Sequence, residues 1–278
     1  VIAPAKLNLC LYLGARREDG LHELCSLFHP LNLADRIVVS EAHGSSDEVI
    51  CEGIEGPNLA IAALAALRDS GWDHPPLRVE IEKRIPVAAG LGGGSADAAA
   101  VLRLAADRVD GLESIAAGLG ADVPSQLRPA FTLVGGAGER LELLPPTGDW
   151  GAVLVPDHRG LSTADVYAEA DRLGLCRDPG ALARVRERIL EAAVGGASPL
   201  DYSELLVNDL GEAAISLRPE IGEALAALRE AGAEHALVTG SGPTAVGLFR
   251  DIAKADAGAS ALRDRFSAAI VTSPASVA

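Results

Sequence analysis

The sequence predicts an α+β protein with mixed sheets, organised as two domains. Three observations predict it. Strand and helix patterns alternate along the chain without strict βαβ repetition. The length of 278 residues exceeds one small module and suits one large domain or two ordinary ones. Hydrophobic residues make up 49% and charged residues 23%, enough to bury a real core and incompatible with disorder. Aromatic residues are only 3%, so that core must be built from Ala, Val, Leu and Ile.

Each element has its own signal. Leu7–Leu13 and Arg36–Ser40 read as strands from alternating or β-branched apolar residues. Asn58–Asp69 reads as a helix stopped by Gly71. Leu77–Ile81 alternates apolar and charged residues, the pattern of a half-buried strand. A glycine-rich segment, Pro86–Asp97, feeds into a helix over Ala96–Val109, and Leu112–Leu119 gives a second, short helix. Phe131–Val134 and Arg140–Leu143 read as strands around Gly135–Gly138. Pro145 and Pro146 punctuate the chain. Val153–Val155 is a strand, and Ser162 opens a helix through Leu173 in a capping-box-like sequence. Ala181–Ala193 is a helix with a charged, solvated face. Helices follow near Leu205–Ile215 and Pro219–Ala231, with Pro219 suited to a first turn. Strands Ala236–Thr239 and Ala245–Phe249 flank a second glycine turn, Gly240–Pro243. A helix over Ala257–Phe266 and a strand over Ala268–Thr272 close the chain. The composition shift near Leu133–Pro146 marks the domain boundary.

Charge and cysteines exclude several classes. With 24 Lys+Arg against 39 Asp+Glu, the net charge is −15, which argues against a nucleic-acid binder. A small anionic ligand in a local site remains compatible, and the acidic surface serves solubility. Cys10, Cys25, Cys51 and Cys176 form no CxxC pair, so neither a zinc site nor a redox pair has support from spacing. Reduced cysteines in a cytoplasmic protein are expected. The longest uncharged stretch, Ala236–Phe249, is too short and too broken to span a bilayer. No basic-then-apolar leader opens the chain. The absence of any Met predicts that a few N-terminal residues are missing or processed.

Four short motifs carry chemistry. The first is Gly90-Leu91-Gly92-Gly93-Gly94-Ser95 before a helix. Closely spaced glycines let backbone N–H groups approach an anion, and the helix N-terminus and the Ser95 hydroxyl add to the attraction. A triphosphate is the natural guest. The segment is neither a GxxxxGK[ST] loop nor GxGxxG, since Ser95 stands at the last glycine position. A tight strand-to-helix turn is the alternative, and four glycines in six residues weigh against it.

The second motif is Pro4-Ala5-Lys6-Leu7-Asn8-Leu9, in which Lys6 and Asn8 share one strand face and Leu7 and Leu9 the other. Read alone, Lys6 is better explained as a solvated lysine on an edge strand. The third is Gly120-Ala121-Asp122-Val123-Pro124, where an N-cap aspartate is the simplest reading of Asp122. The fourth is Asp19-Gly20-Leu21-His22, a turn with a lone histidine. No second His stands at metal-ligand spacing, and no Ser/His/Asp triad can be argued.

Taken in order, and with the late Thr239-Gly240-Ser241-Gly242-Pro243, these motifs resemble the GHMP kinase superfamily over nearly the whole chain. Ser162–Tyr167 and Leu206–Leu210 are also family-like. The resemblance implies a ribosomal protein S5 domain 2-like N-terminal domain over 1–133, its last strand supplied there or returned by 267–278. It implies a ferredoxin-like α/β domain over 134–266. It implies ATP-dependent phosphorylation of a cytidylylated methylerythritol in the non-mevalonate isoprenoid pathway. Homoserine- or mevalonate-type kinases and a non-catalytic nucleotide binder are the alternatives. ATP would lie on Pro86, Ala88, Ala89, Gly90, Leu91, Gly92, Gly93, Gly94, Ser95 and Ala96, with adenine near Asn58. Mg²⁺ would ride on the phosphates, with Ser95 its one protein ligand. Asp122 would be the general base and Lys6 its partner. Asn8, Leu21, His22, Thr163, Tyr167, Gly240, Ser241 and Gly242 would bind the acceptor, His22 at the cytosine. Leu21 stands where the family usually carries a stacking aromatic, and Ser125-Gln126 where an aromatic is common. A one-sided stack would lose roughly 1–3 kcal/mol. No nucleic acid or membrane partner is expected, and the chain would be a monomer or weak homodimer.

Overall fold

The computed structural model describes residues 1–53 and 58–275. In chain order its elements are β1 (Ile2–Arg16), β2 (His22–Glu41), β3 (Glu48–Ile50), α1 (Leu59–Asp69), β4 (Leu77–Glu82), α2 (Gly93–Leu102), α3 (Leu112–Leu119) and α4 (Val123–Leu127). Then come β5 (Thr132–Gly136), β6 (Arg140–Leu143), β7 (Gly151–Val155), α5 (Thr163–Leu173), α6 (Pro179–Ala193) and α7 (Leu210–Leu217). The chain closes with α8 (Glu220–Glu230), β8 (His235–Val238), β9 (Ala245–Phe249), α9 (Ile252–Leu262) and β10 (Ile270–Thr272). None of the described helices is long and apolar enough to cross a membrane.

The residues cluster into two compact units that interleave along the chain. The first holds 1–5, 33–87 and 92–129; the second holds 6–32, 88–91 and 130–278.

In the first unit, Arg36–Glu41 of β2 pairs antiparallel with β4, and β3 pairs parallel with β4. Helix α1 buries Ala60, Ala63, Leu64 and Leu67, the i, i+3, i+4, i+7 stripe expected of an amphipathic helix. Asn58 caps it by accepting the Ala60 N–H at 2.8 Å. Helix α2 is buried all round from Ala98 to Leu102, which only small and apolar side chains permit. Both helices join Ile37, Val79 and Ile81 in an Ala- and Leu-rich core, as the low aromatic content requires.

In the second unit, Leu24–Phe28 of β2 pairs antiparallel with β5, and β5 with β6. A separate four-stranded antiparallel sheet has the order β10-β7-β9-β8. That order, with helices between β7 and β8 and between β9 and β10, is the ferredoxin-like arrangement. Its core runs from Val153, Val155 and Val238 to Leu210, Leu225, Leu228 and Phe249. The closing strand pairs with β7 through Ile270↔Leu154 to Thr272↔Ala152. Residues 276–278 of the expected return segment lie outside the described residues.

Several boundaries differ from the sequence expectation. β2 runs twenty residues, through Pro30, instead of Arg36–Ser40 alone. Pro30 sits between the stretch that pairs with β5 and the stretch that pairs with β4, outside both registers. α2 begins at Gly93 and gives way to a 3₁₀ turn at Arg103–Ala105. The expected helix over Leu205–Ile215 is broken at Asn208 and Asp209, whose side chains bond elsewhere in the second unit. α9 starts at Ile252 because Asp251 accepts the Lys254 N–H at 2.8 Å and caps it.

Candidate active site

Lys6 and Asn8 alternate with Leu7 and Leu9 on β1, but both faces of the strand are buried. Leu7 and Leu9 are fully covered, and Lys6 is only 6% exposed. An edge strand with a solvated lysine is therefore excluded. Lys6 Nζ donates to Asn8 Oδ1 at 2.6 Å and lies 4.4 Å from the centroid of the Phe28 ring, a cation–π distance. Asn8 Nδ2 donates to Ser26 Oγ at 2.9 Å, so the amide is oriented with its oxygen toward the ammonium. The Asn8 backbone N–H donates to Thr239 Oγ1 at 3.0 Å.

Thr239 opens the second glycine turn. Gly240 and Gly242 have φ of +57° and +79°, in the left-handed region that favours glycine. Asn208 Nδ2 donates to the Val238 and Gly240 carbonyls, each at 2.7 Å, and braces the turn. A Cβ on Gly240 would stand 3.2 Å from Asn8 Oδ1 and 3.8 Å from Lys6 Nζ. The Ser241 and Thr163 hydroxyls are 2.9 Å apart. Lys6, Asn8, Thr163, Gly240 and Ser241 are thus linked through neighbouring contacts, all within the second unit.

The same turn locks the start of the glycine-rich segment. Gly90 has φ +75°, and a Cβ there would lie 2.7 Å from the Gly242 carbonyl oxygen and 3.0 Å from that of Thr239. Thr244 Oγ1 donates to the Ala89 carbonyl at 2.7 Å, and the Lys6 N–H to the Leu91 carbonyl at 2.9 Å. Ala88 adopts φ +54°, an unusual value for a residue with a Cβ. Pro86 is half-buried and counts with the first unit.

From Gly92 the segment belongs to the first unit. Gly92, at φ +70°, is the N-cap of α2, and Gly93, Gly94, Ser95 and Ala96 form its first turn. First-turn N–H groups have no partner within a helix, except that Ala96 N–H already reaches the Gly92 carbonyl at 2.9 Å. Such a terminus attracts phosphate. Beneath it lies an ion triad. Lys83 Nζ bonds Asp35 Oδ2 and, at 2.8 Å, Asp97 Oδ2. Asp35 is fully buried and also accepts the Arg84 and Ile85 N–H groups, at 2.6 and 2.9 Å. Burial opposes the charge of Lys83, yet the hydrogen bonds it donates to both carboxylates hold its ammonium above the usual lysine range. Burial pushes the Asp97 carboxyl up to about 6, against the pull of Lys83. A Cβ on Gly93 would stand 3.2 Å from Lys83 Nζ.

The donor set suits Mg²⁺ held mainly by phosphate and water. Asp35 and Asp97 Oδ2 are committed to Lys83 and Asp97 Oδ1 is buried, which leaves the half-buried Ser95 hydroxyl as the accessible oxygen ligand on the first turn. Asn58 spends its side-chain oxygen on capping α1. Asp122 stands at the N-cap position of α4, but its side chain makes no capping hydrogen bond. The simplest sequence reading of Asp122 is therefore not what its carboxylate does.

His22, the first residue of β2, is buried at 7% exposure. Its Nδ1 is 3.2 Å from the Gly14 carbonyl, its Nε2 3.3 Å from Asp171 Oδ1, and its ring centroid 5.4 Å from that of Tyr167. Leu21 is 55% exposed on the preceding turn. Sequence reasoning missed the supporting residues Ser26, Asp35, Lys83 and Thr244, and gave no role to Asn208 and Thr239 although both lie in family-like stretches. Isolated Ser, Thr, Asn or Lys residues give no pattern, and only the fold shows what they touch.

Known proteins fit this geometry. Residues 58–125 match the model of the GHMP kinases N terminal domain, and residues 201–268 that of the GHMP kinases C terminal domain. The chain is 42% identical over 279 residues to a 4-diphosphocytidyl-2-C-methyl-D-erythritol kinase of Streptomyces coelicolor, covering 95% of this chain and 91% of that protein. It is 40% identical over 256 residues to one from Mycolicibacterium smegmatis, covering 88% of this chain and 79% of the relative. A crystal structure of 4-(cytidine 5'-diphospho)-2C-methyl-D-erythritol kinase superposes with a TM-score of 0.80 at 38% identity, covering 99% of both chains. The motifs, the two-unit α+β fold and these relatives agree that the chain belongs to the 4-diphosphocytidyl-2-C-methyl-D-erythritol kinase family of GHMP kinases, which makes it an ATP-dependent small-molecule kinase of isoprenoid biosynthesis.

Proposed function

We propose that this chain transfers the γ-phosphoryl group of ATP to the 2-hydroxyl of 4-diphosphocytidyl-2-C-methyl-D-erythritol, directly and in line, in the cytoplasm. One observation carries the reading. Lys6, nearly inaccessible to solvent, is held by an oriented Asn8 amide beside the Thr239–Thr244 turn. Burying an ammonium is costly, and a lysine meant only to pack would gain nothing from it.

Asp122 takes the proton of the acceptor hydroxyl. The oxygen's electron pair then attacks the γ-phosphorus, and the bond to the β–γ bridging oxygen breaks to release ADP. Lys6, the partner of the base, supplies positive charge that stabilises the charge on the transferring group. The N–H groups of Gly93, Gly94 and Ser95 hold phosphate oxygens at the start of α2. Mg²⁺, when bound with Ser95 as a ligand, neutralises phosphate charge. Asn8, Thr163 and the Gly240–Gly242 turn position the acceptor, and His22 with Tyr167 contacts the base. Positioning and charge supply most of the catalysis in phosphoryl transfer.

The test is Asp122→Asn. Turnover should be abolished while ATP still binds, measured by ADP release and by nucleotide titration. An active Asp122→Asn enzyme would remove Asp122 from the mechanism. ADP release should depend on the cytidyl acceptor, with homoserine, mevalonate and uncytidylylated methylerythritol phosphate inert. Turnover on one of those would keep the fold and move the substrate.

A further inference from the structure

We propose that His22, Asp171 and Cys176 form a seat for a thiophilic divalent cation, with Zn²⁺ the ion that fits it. The spacing of cysteines gives no hint of this, because the three ligands come from separate places in the chain. His22 starts β2, Asp171 is in the last turn of α5, and Cys176 follows that helix. Their donor atoms all lie within 4.8 Å of one another. Cys176 Sγ is 3.6 Å from Asp171 Oδ1 and 3.7 Å from His22 Nδ1, and Asp171 Oδ1 is 3.3 Å from His22 Nε2. Bonds of about 2.0–2.3 Å at tetrahedral angles put neighbouring ligands roughly 3.3–3.8 Å apart. For an ion taken on Nε2, the 3.3 Å from that nitrogen to Asp171 and the 3.6 Å from Asp171 to the Cys176 sulfur fall in that range, while the 3.7 Å from the sulfur is to the other ring nitrogen.

The backbone holds each ligand in place. Gly174 ends α5, with its N–H on the Asp171 carbonyl at 3.1 Å and the Leu175 N–H on the Ala170 carbonyl at 3.1 Å. The Arg177 N–H then bonds the Leu13 carbonyl at 2.8 Å, which fixes Cys176 beside the end of β1. Arg177 is itself clamped to Asp209 by two hydrogen bonds, at 2.6 and 2.7 Å. Across the site, the Gly14 carbonyl meets His22 Nδ1 at 3.2 Å, the backbone contact that commonly orients a metal-binding imidazole, and this leaves Nε2 as the nitrogen for the ion. The Asp171 side chain is 40% exposed and leaves one side open for an ion and a water to enter. Imidazole, thiolate and carboxylate with one open position is a set that zinc accepts and Mg²⁺ does not favour.

The consequence for activity rests on the reading of His22 as a contact to the base. An ion on His22 would then exclude the nucleobase and raise KM for the cytidyl acceptor. Binding itself does not rest on that reading.

The test uses the full chain, reduced with a phosphine and stripped of metal. Co²⁺ should bind one equivalent and give a sulfur-to-cobalt charge-transfer band, and Zn²⁺ should displace it. Cys176→Ser should lose the band, and Asp171→Asn should weaken Zn²⁺ by about tenfold or more. Cys176→Ser should keep its turnover in excess Mg²⁺ with a zinc-selective chelator, which shows that it folds. A band that persists in Cys176→Ser, or no band in the parent protein, overturns the seat. If Zn²⁺ binds there without raising KM for the cytidyl acceptor, the seat stands and the placement of His22 at the base falls.

Discussion

Gly90 and Gly94 share one glycine-rich segment and are glycine for different reasons. Gly90 counts with the second unit, has φ +75°, and lies where a Cβ would strike the carbonyl oxygens of Gly242 and Thr239. Packing alone requires a glycine there. Gly94 counts with the first unit, is exposed, and would set a Cβ no closer than 3.8 Å to its nearest neighbour, Leu59 Cδ1. The fold does not need a glycine at that position, and in a helix glycine costs roughly 0.5–1 kcal/mol relative to alanine. A bare backbone at Gly94 is therefore best explained by a ligand that comes close to it. On the proposed reading, the glycine-rich motif mixes positions fixed by the fold with positions fixed by the ligand, and only their surroundings separate the two.

Three substitutions sharpen this contrast. The largest effect should come from Lys83→Ala, which leaves Asp35 and Asp97 buried under the first turn of α2 without their cation. A loss of about 3–5 kcal/mol is expected in denaturant unfolding. A loss below 1 kcal/mol would mean that the triad does not support the ligand half of the segment. Next is Gly90→Ala, with a left-handed φ and two backbone clashes to relieve. It should cost about 2–4 kcal/mol and lower thermal stability together with activity. The smallest effect, and of opposite sign, should be Gly94→Ala. Its fold should be as stable as the parent, or about 0.5 kcal/mol more stable, while KM for ATP rises about tenfold, equal to about 1.4 kcal/mol. An unchanged KM would place the phosphates elsewhere and erase the distinction between the two halves.

The sequence made the alternation of elements legible, together with the family and the motifs. Strongly periodic stretches such as Leu59–Asp69 and Leu112–Leu119 came out nearly to the residue. Boundaries failed where a long-range contact overrides a local signal. Pro30 reads as a breaker but falls between two pairing partners of β2. Glycines 93 and 94 read as loop, yet they form the first turn of α2. Asn208 and Asp209 read as helix, but they leave it to brace the Gly240 turn and to hold Arg177. Within the site, Lys6 was misjudged when read alone, because alternation along a strand predicts two faces and not what covers them. The Lys83 triad and the His22–Asp171–Cys176 cluster were invisible for a plainer reason. Asp35 lies 48 residues from Lys83 and His22 lies 154 from Cys176, and no spacing rule joins such members.

The interleaving of the two compact units has a consequence for how such a protein can be inherited. The first unit is drawn from three separate stretches of chain, and the second takes in residues 6–32 and 88–91 as well as the C-terminal half. No single cut separates the two units from each other. A truncation after residue 129 would keep every stretch of the first unit but divide the second, leaving 6–32 and 88–91 behind. Neither unit is a contiguous stretch that one exchange of sequence could carry as an independent module.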